Sequence, residues 1–230
     1  MPAPSIRARV RAEMLDEIKA VARRHLATDG ANLSLRAVAR DMGMVSSALY
    51  RYFPSRDDLL TALIVEAYDA LGAAVEAADA GADRLDPRGR WHAACRSARD
   101  WALARPAEYA LLYGSPVPGY AAPADTLGPA MRPPAVLVGI VRDGLAAGRI
   151  AAPDPGGLPE SLRADLAEIA AALAPGLPEA LLARCMAGWT QLFGLISFEL
   201  FGRIDRALPH RAEYFAHQTD LMADLIGLPR

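Results

Sequence analysis

A chain of 230 residues with a formal net charge of −2 and 53% hydrophobic residues is long enough to bury a sizeable core in one or two domains. Lys19 is the only lysine, and the two cysteines, Cys95 and Cys185, stand far apart. That excludes a G-x-x-x-x-G-K phosphate loop and the paired-cysteine metal and redox motifs. The N-terminal MPAPSIRARVRAEML has no apolar signal-peptide core, and the longest apolar stretches fall short of the roughly 18–20 residues of a membrane span, so the expectation is a soluble, cytoplasmic protein with no membrane partner.

The first predicted element is a helix over 5–28, with Val10, Met14, Ile18, Val21 and Leu26 roughly on one face and Asp29–Gly30 as its stop. Ser34 is a candidate N-cap for a short helix over 34–42. Its apolar face is Leu35, Val38, Ala39 and Met42, while Arg36, Arg40 and Asp41 point elsewhere. Gly43 suits the left-handed conformation that ends such a helix. A second short helix follows over 46–53. Leu49 and Phe53 form its apolar side; Ser46, Ser47, Tyr50 and Arg51 lie away from it, and Pro54 stops it. Ser55 caps the next helix, with Asp58 completing a capping-box-like pattern. Two short amphipathic helices about a glycine turn make a helix-turn-helix at 34–53, the arrangement that sets a second helix in the DNA major groove. Small hydroxyls, a Tyr and an Arg on its exposed side suit base edges and phosphates. A helical hairpin packed into a larger domain presents the same local pattern, and charge separates the two readings. Residues 1–56 hold 10 Lys/Arg against 5 Asp/Glu, a net of +5; the rest hold 15 against 22, a net of −7. A basic head on an acidic body is the footprint of a polyanion partner.

Beyond the head the pattern stays helical, with no strand signal and no repeat, so the fold class is all-α. A long helix over 56–80 joins head to body, which places the domain boundary inside a helix: 1–56 for DNA binding, 57–230 for the body. A polar turn at 81–90 leads to helices over 89–105 and 107–113. The Gly- and Pro-rich 114–134 reads as irregular chain shaping a pocket wall. Helices follow over 134–149, 160–173 (after a Pro/Gly stretch at 153–159), 178–204 and 210–227. The last two carry wide apolar stripes. Leu192, Ile196 and Leu200 on one, with Phe215, Gln218, Met222 and Leu225 on the other, are the expected homodimer interface; a purely intramolecular bundle would show the same stripes. Dimerisation suits a helix-turn-helix, because two-fold symmetry reads two half-sites.

Aromatic residues make up only 7% of the chain. The expected ligand-binding set is Trp101, Tyr109, Tyr113, Trp189 and Phe193, with His92 and Arg96 as polar partners, since pockets are mostly apolar with a few placed polar groups. Aromatics at helical spacing also fill cores, and the sequence does not separate the two. No G-x-S-x-G elbow or H-E-x-x-H pair exists, and His25, His92, His210 and His217 are scattered. The reading is therefore neither an enzyme nor a metal or cofactor protein. A pure protein-interaction module would have no reason to concentrate positive charge on the first 56 residues.

Residues 10–60 resemble the DNA-binding domain of the TetR family of bacterial repressors. LSLRAVARDMG at 33–43 looks like that family's second helix and turn, and ALYRYFPSRDDLL at 48–60 like its recognition helix and the start of its fourth helix. The resemblance implies an all-α homodimer with a three-helix head and a helical body that binds a small molecule and dimerises. It implies that Ser46, Ser47, Tyr50 and Arg51 face the groove or its walls, with Tyr52 at the groove edge. Ser34 and Arg36 would touch backbone or flanking bases, and Arg56 would hold a phosphate. One departure is Val45, where the family usually has a capping Ser or Thr; that moves the expected cap to Ser46. The body resembles a TetR C-terminal class marked by a Trp-His-Gly signature, on WALARPAEYALLYGSPVPGYAAP at 101–123 and GWTQLFGLISFELFG at 188–202. Phe193-Gly194 stands where His-Gly is usual, implying a more apolar pocket. The implied function is a regulator that binds a palindromic double-stranded DNA operator and is released by a small apolar effector. Activation instead of repression, and action without any ligand, stay open.

Overall fold

The computed structural model describes residues 5–29, 33–153 and 157–230. Among these the chain forms ten α-helices, one 3-10 turn at Ala124–Thr126 and no strand, the expected all-α class. The helices are α1 (Ile6–Asp29), α2 (Leu35–Asp41), α3 (Ser46–Leu49), α4 (Arg56–Ala80), α5 (Pro87–Ala104), α6 (Pro106–Tyr113), α7 (Leu127–Ala146), α8 (Glu160–Leu173), α9 (Glu179–Leu200) and α10 (Arg211–Ile226). Gly30, the expected stop of α1, and part of the 153–159 stretch lie outside the described residues.

The helices make two compact units, Met1–Tyr68 with Arg105–Pro129, and Asp69–Ala104 with Ala130–Arg230. This division differs from a boundary at residue 56. The first unit takes in the start of α4 and all of α6, because Ala107 and Leu111 on α6, with Val117 and Tyr120 after it, pack on the core of the head. That core is Ile18, Val21, Ala22 and Leu26 from α1, Leu35, Val38 and Ala39 from α2, Leu49 and Phe53 around α3, and Leu59, Leu60 and Leu63 from α4. Each fully buried Leu, Ile or Phe in such a cluster contributes about 1.5–3 kcal/mol through removal from water. The i, i+3, i+4 spacing of these residues makes each helix one-sided, and only their mutual burial makes helices as short as α2 and α3 stable.

In the same unit Glu66 on α4 receives Lys19 and Arg23 of α1, the latter at 2.5 Å, and Arg23 also lies 3.7 Å from Glu108 of α6. The Tyr120 hydroxyl is 2.9 Å from that of Thr61 on α4. α6 is therefore tied to the head by charge and hydroxyl contacts as well as by apolar packing.

In the second unit α9 packs against α10, α8 and α5. Trp91 of α5 is fully buried, and its indole Nε1 donates to the Thr219 carbonyl of α10 at 3.2 Å. By length and composition α9 is the one described helix apolar enough to cross a membrane. It is also the central packing helix of this unit and carries the buried carboxylate of Glu199.

The helix expected to begin at 134 begins at Leu127, with Pro133 and Pro134 inside it. Proline lacks the N–H that would reach the carbonyl four residues back, so two helical bonds are missing here. Tertiary contacts hold the segment instead. Arg132 reaches Asp69 of α4 at 2.6 Å and Glu76, two turns on, at 2.8 and 2.7 Å. Gly72 between them permits this seat: a Cβ there would stand 2.8 Å from the Arg132 Cβ.

Candidate nucleic-acid interface

The helix-turn-helix is built as its residue types dictate. The Ser34 hydroxyl accepts from the Ala37 amide at 3.5 Å, capping α2. Gly43 adopts φ +66 and closes the helix: its amide donates to the Arg40 carbonyl at 3.0 Å and the Met44 amide to Ala39 at 2.8 Å, the paired bonds of a left-handed glycine cap. The N-cap of α3 is Val45, with no side-chain hydrogen bond. The cap expected at Ser46 is thus not made, because Ser46 already has helical geometry as the first residue of α3.

α3 is also shorter than the expected 46–53. It ends at Leu49, and 50–53 continue as turns in which the Tyr52 and Phe53 amides both donate to the Leu49 carbonyl, at 2.9 and 3.0 Å. Pro54 then prevents continuation. The Ser55 hydroxyl accepts from the Asp58 amide at 3.1 Å and donates to the Asp58 carboxylate at 2.7 Å, starting α4.

Burial sorts the expected DNA-binding residues. Leu49 and Phe53 point into the core. Ser34, Arg36, Ser47, Tyr50 and Arg51 are exposed, while Ser46, Tyr52 and Arg56 are half-buried. Arg56 has a structural task, since its Nε donates to the Leu33 carbonyl at 3.1 Å. Val45, the residue before α3, is also exposed, at 70% of its surface. Sequence reasoning missed Arg11. Its guanidinium lies over the Tyr52 ring, 5.1 Å from the centroid, and 3.5 Å from the Arg51 carbonyl oxygen.

The seven residues expected to bind ligand fall in different places. Tyr109 is fully buried in the first unit, and Tyr113 packs on it with ring centroids 5.1 Å apart and edge-on to Tyr68 at 6.0 Å. Burial pushes the Tyr113 and Tyr68 phenols up. In the second unit Trp101 and Phe193 are buried. Trp189 is half-buried and edge-on to Phe193 at 5.9 Å; its indole nitrogen is buried and without a hydrogen-bond partner. His92 is held by Thr219 at 3.2 Å and Asp220 at 3.0 Å, and Arg96 is exposed. A cleft of about 570 Å³ in this unit is lined by other residues, including Leu103, Leu200, His210 and the Arg99–Glu199 pair. Among the described residues no group of three or more His, Cys, Asp or Glu could hold a metal ion.

Of the expected dimer residues, Leu192, Ile196, Phe215 and Met222 are buried within the chain's own packing. They fill the second unit's core and do not offer a face to a partner. Leu200 and Gln218 are half-buried, Gln218 accepting from Gln191 at 2.9 Å, and Leu225 is exposed. The large apolar side chains left open here are Phe198 on α9, Phe201 just after it, and Leu221 and Leu225 on α10.

A basic helix-turn-helix whose second helix exposes Ser47 and, in the turn after it, Tyr50 and Arg51 is the head of a DNA-binding regulator. Comparison with known proteins agrees. Residues 18–63 match the family described as bacterial regulatory proteins, tetR family, and residues 91–222 match a tetracyclin repressor-like C-terminal domain. An HTH-type transcriptional regulator of Mycobacterium tuberculosis, Rv1816, is 41% identical over 195 residues, covering 81% of this chain and 80% of its own length. The crystal structure of the regulatory protein SCO4313 superposes with a TM-score of 0.78 at 33% identity, covering 96% of this chain and 100% of the other. A structure from Rhodococcus sp. RHA1, described as of unknown function, gives 0.70 at 25% identity over 94% of this chain and 96% of its own. The chain belongs to the TetR family of transcriptional regulators, DNA-binding proteins and not enzymes.

Proposed function

We propose that the protein is a homodimeric repressor that binds a near-palindromic operator and is released by a small, largely apolar effector. The observation that carries this reading is the exposed set Ser47, Tyr50 and Arg51 on a head of net charge +5 over residues 1–56. Arg51 and Tyr50 would read base edges or the groove wall, and Ser34 and Arg36 would hold the backbone at the entry of α2. Arg56 would add a phosphate contact beside its bond to Leu33.

Dimerisation is supported by the open apolar side of α9 and α10. Gln191 and Gln218 bond across the two helices at 2.9 Å. Phe198 lies two turns along α9 from Gln191, and Leu221 and Leu225 lie one and two turns along α10 from Gln218, so these residues share one side of the pair. The interface would thus be Phe198, Phe201, Leu221 and Leu225, with Leu200 and Gln218 beside them. The effector reading rests on the aromatic body, with Trp189 and Phe193 as the first candidates because of the unpartnered Trp189 indole. An effector that favours one spacing of the two heads by about 1–3 kcal/mol would change operator affinity 5- to 150-fold. α4, which contributes residues 56–68 to one unit and 69–80 to the other, is the element through which such coupling would pass.

Sedimentation of the chain with a labelled operator duplex tests the assembly. Two chains, or a multiple of two, per duplex are expected. One chain per full operator, or chains that add one at a time with no coupling between the half-sites, would contradict the dimer. Replacing Trp189 by Ala should alter effector release more than DNA affinity; loss of dimerisation instead would assign Trp189 to the interface.

A further inference from the structure

The first turns of α1 extend beyond the part of the head that the family match covers, which begins at residue 18. Residues 5–13 are all exposed, Ile6 at 74% and Val10 at 51%. The stretch is nonetheless a formed helix, capped by Ser5, whose hydroxyl accepts from the Ala8 amide at 3.3 Å, and braced by an Arg9–Glu13 pair at 3.7 Å.

Helical spacing sorts its charges. Arg7, Arg11 and Ile18 lie at i, i+4 and i+11, within about 20° of one line along the helix, given 100° per residue. Ile18 is fully buried in the core. The face that packs the head from Ile18 onward therefore continues past the core's edge as Arg7 and Arg11. Arg11 lies against the recognition turn, over the Tyr52 ring and beside the Arg51 carbonyl. Arg7, exposed, lies about 6 Å further along the same face. Arg9, which is paired to Glu13, lies on the other side.

We infer that the Arg7–Arg11 face of α1 is a second DNA contact, a phosphate-binding ledge that lengthens the footprint beyond the helix-turn-helix onto the flanking backbone. This rests on the operator-binding reading above and adds to it. The ledge is continuous with the recognition turn through Arg11, carries two guanidinium groups, and has no acidic group on its own line. The charged groups at the neighbouring turn and the start of α4 are Arg51, the Arg56–Asp57 pair and Asp58, whose carboxylate accepts from the Ser55 hydroxyl. Arg11 both positions Tyr52 and presents positive charge; Arg7 reaches backbone only. The occupant is duplex phosphate, so the contact is indifferent to sequence.

The test compares two duplexes carrying the same operator, one cut at the outer edges of the half-sites and one with about ten further base pairs on each side. Wild type, Arg7→Ala and Arg51→Ala are titrated on both at several salt concentrations. Arg7→Ala should weaken binding to the long duplex about 3- to 10-fold and lower the slope of log affinity against log salt by about 2, one for each subunit. On the short duplex it should match wild type. Equal binding of Arg7→Ala and wild type to the long duplex overturns the ledge and leaves the operator reading standing. Failure of wild type to bind either duplex overturns the operator reading and the ledge with it, whereas weakening of both duplexes by Arg51→Ala with no effect of Arg7→Ala on either overturns the ledge alone.

Discussion

Arg99 on α5 and Glu199 at the end of α9, a hundred residues apart, meet in a two-pronged ion pair, with Nε–Oε2 at 2.7 Å and Nη2–Oε1 at 2.5 Å. Glu199 is buried and the Arg99 guanidinium also lies over the Phe215 ring of α10, 5.3 Å from its centroid. The pair thus fixes the end of α9 against α5 beside α10. Breaking one side of a buried pair strands the other charge. Arg99→Ala should therefore lower stability by about 3 kcal/mol, read as a shift in the urea midpoint. Arg99→Met with Glu199→Leu should recover most of that loss. A single variant as stable as wild type would mean that water already screens the pair.

Val45 offers a gain. It is the uncapped N-cap of α3, in extended geometry at φ −70, ψ 138. A threonine there would place a hydroxyl where the second or third amide of α3 can donate to it. Val45→Thr should raise the stability of the head by about 0.5–1 kcal/mol in thermal melts. A loss of stability would show that the Val45 methyls are packed against something the cap cannot replace.

Acid should loosen the second unit through Asp79. Arg90, almost fully buried, meets Asp79 at 2.7 and 3.1 Å and Asp143 at 3.0 Å, and Arg84 adds 2.8 Å to Asp79. Burial alone would raise the Asp79 carboxyl, but hydrogen bonds from Arg90 and Arg84 outweigh it and hold the group below its usual value. A folded-state pKa below the unfolded one contributes stability that is present above the unfolded pKa of about 3.9 and is lost as pH falls through the lower folded value. Denaturant midpoints should fall below about pH 4, and Asp79→Asn should flatten that fall while being less stable at neutral pH. An unchanged acid slope in Asp79→Asn would move the effect to another carboxylate.

Cys95 and Cys185 should resist alkylation in the folded protein. Both are buried and free, and burial pushes the Cys185 thiol up to about 12 and the Cys95 thiol higher still. Thiol counting at pH 8 should give almost no rapid reaction until denaturant is added. Rapid native labelling of either would show that α5 or α9 opens readily.

The head was legible because its signals are local. Ser34, Gly43 and Ser55 each act within a few residues, and all three end or start helices as their chemistry requires, whereas α3 ends at Leu49, before Pro54 is reached. The body was less so. A proline pair normally marks a helix boundary, yet Pro133 and Pro134 lie inside α7 because Arg132 ties the segment to residues more than fifty positions away. The wide stripes on α9 and α10 also misled for a physical reason. A helix buried on one side and open on another shows apolar residues around much of its circumference, and periodicity does not say which arc faces inward. Leu192, Ile196, Phe215 and Met222 took the inner arc, leaving Phe198, Leu221 and Leu225 outside. Arg11 escaped notice because its partners, Arg51 and Tyr52, are forty positions away.

Arg51 separates base reading from backbone holding. It is exposed in the turn after α3, and Arg51→Ala should cost roughly 1–3 kcal/mol on operator DNA if it contacts a base edge. Equal losses on operator and random duplex, measured by anisotropy, would make it a phosphate contact.

The central claim, a two-fold symmetric reader of duplex DNA, is tested most directly by selecting bound sequences from a random duplex pool at two salt concentrations. The account predicts an inverted repeat with half-sites about one helical turn apart or a multiple of it, and weaker retention at the higher salt. Binding with no enriched motif, or no binding at either salt, would contradict it.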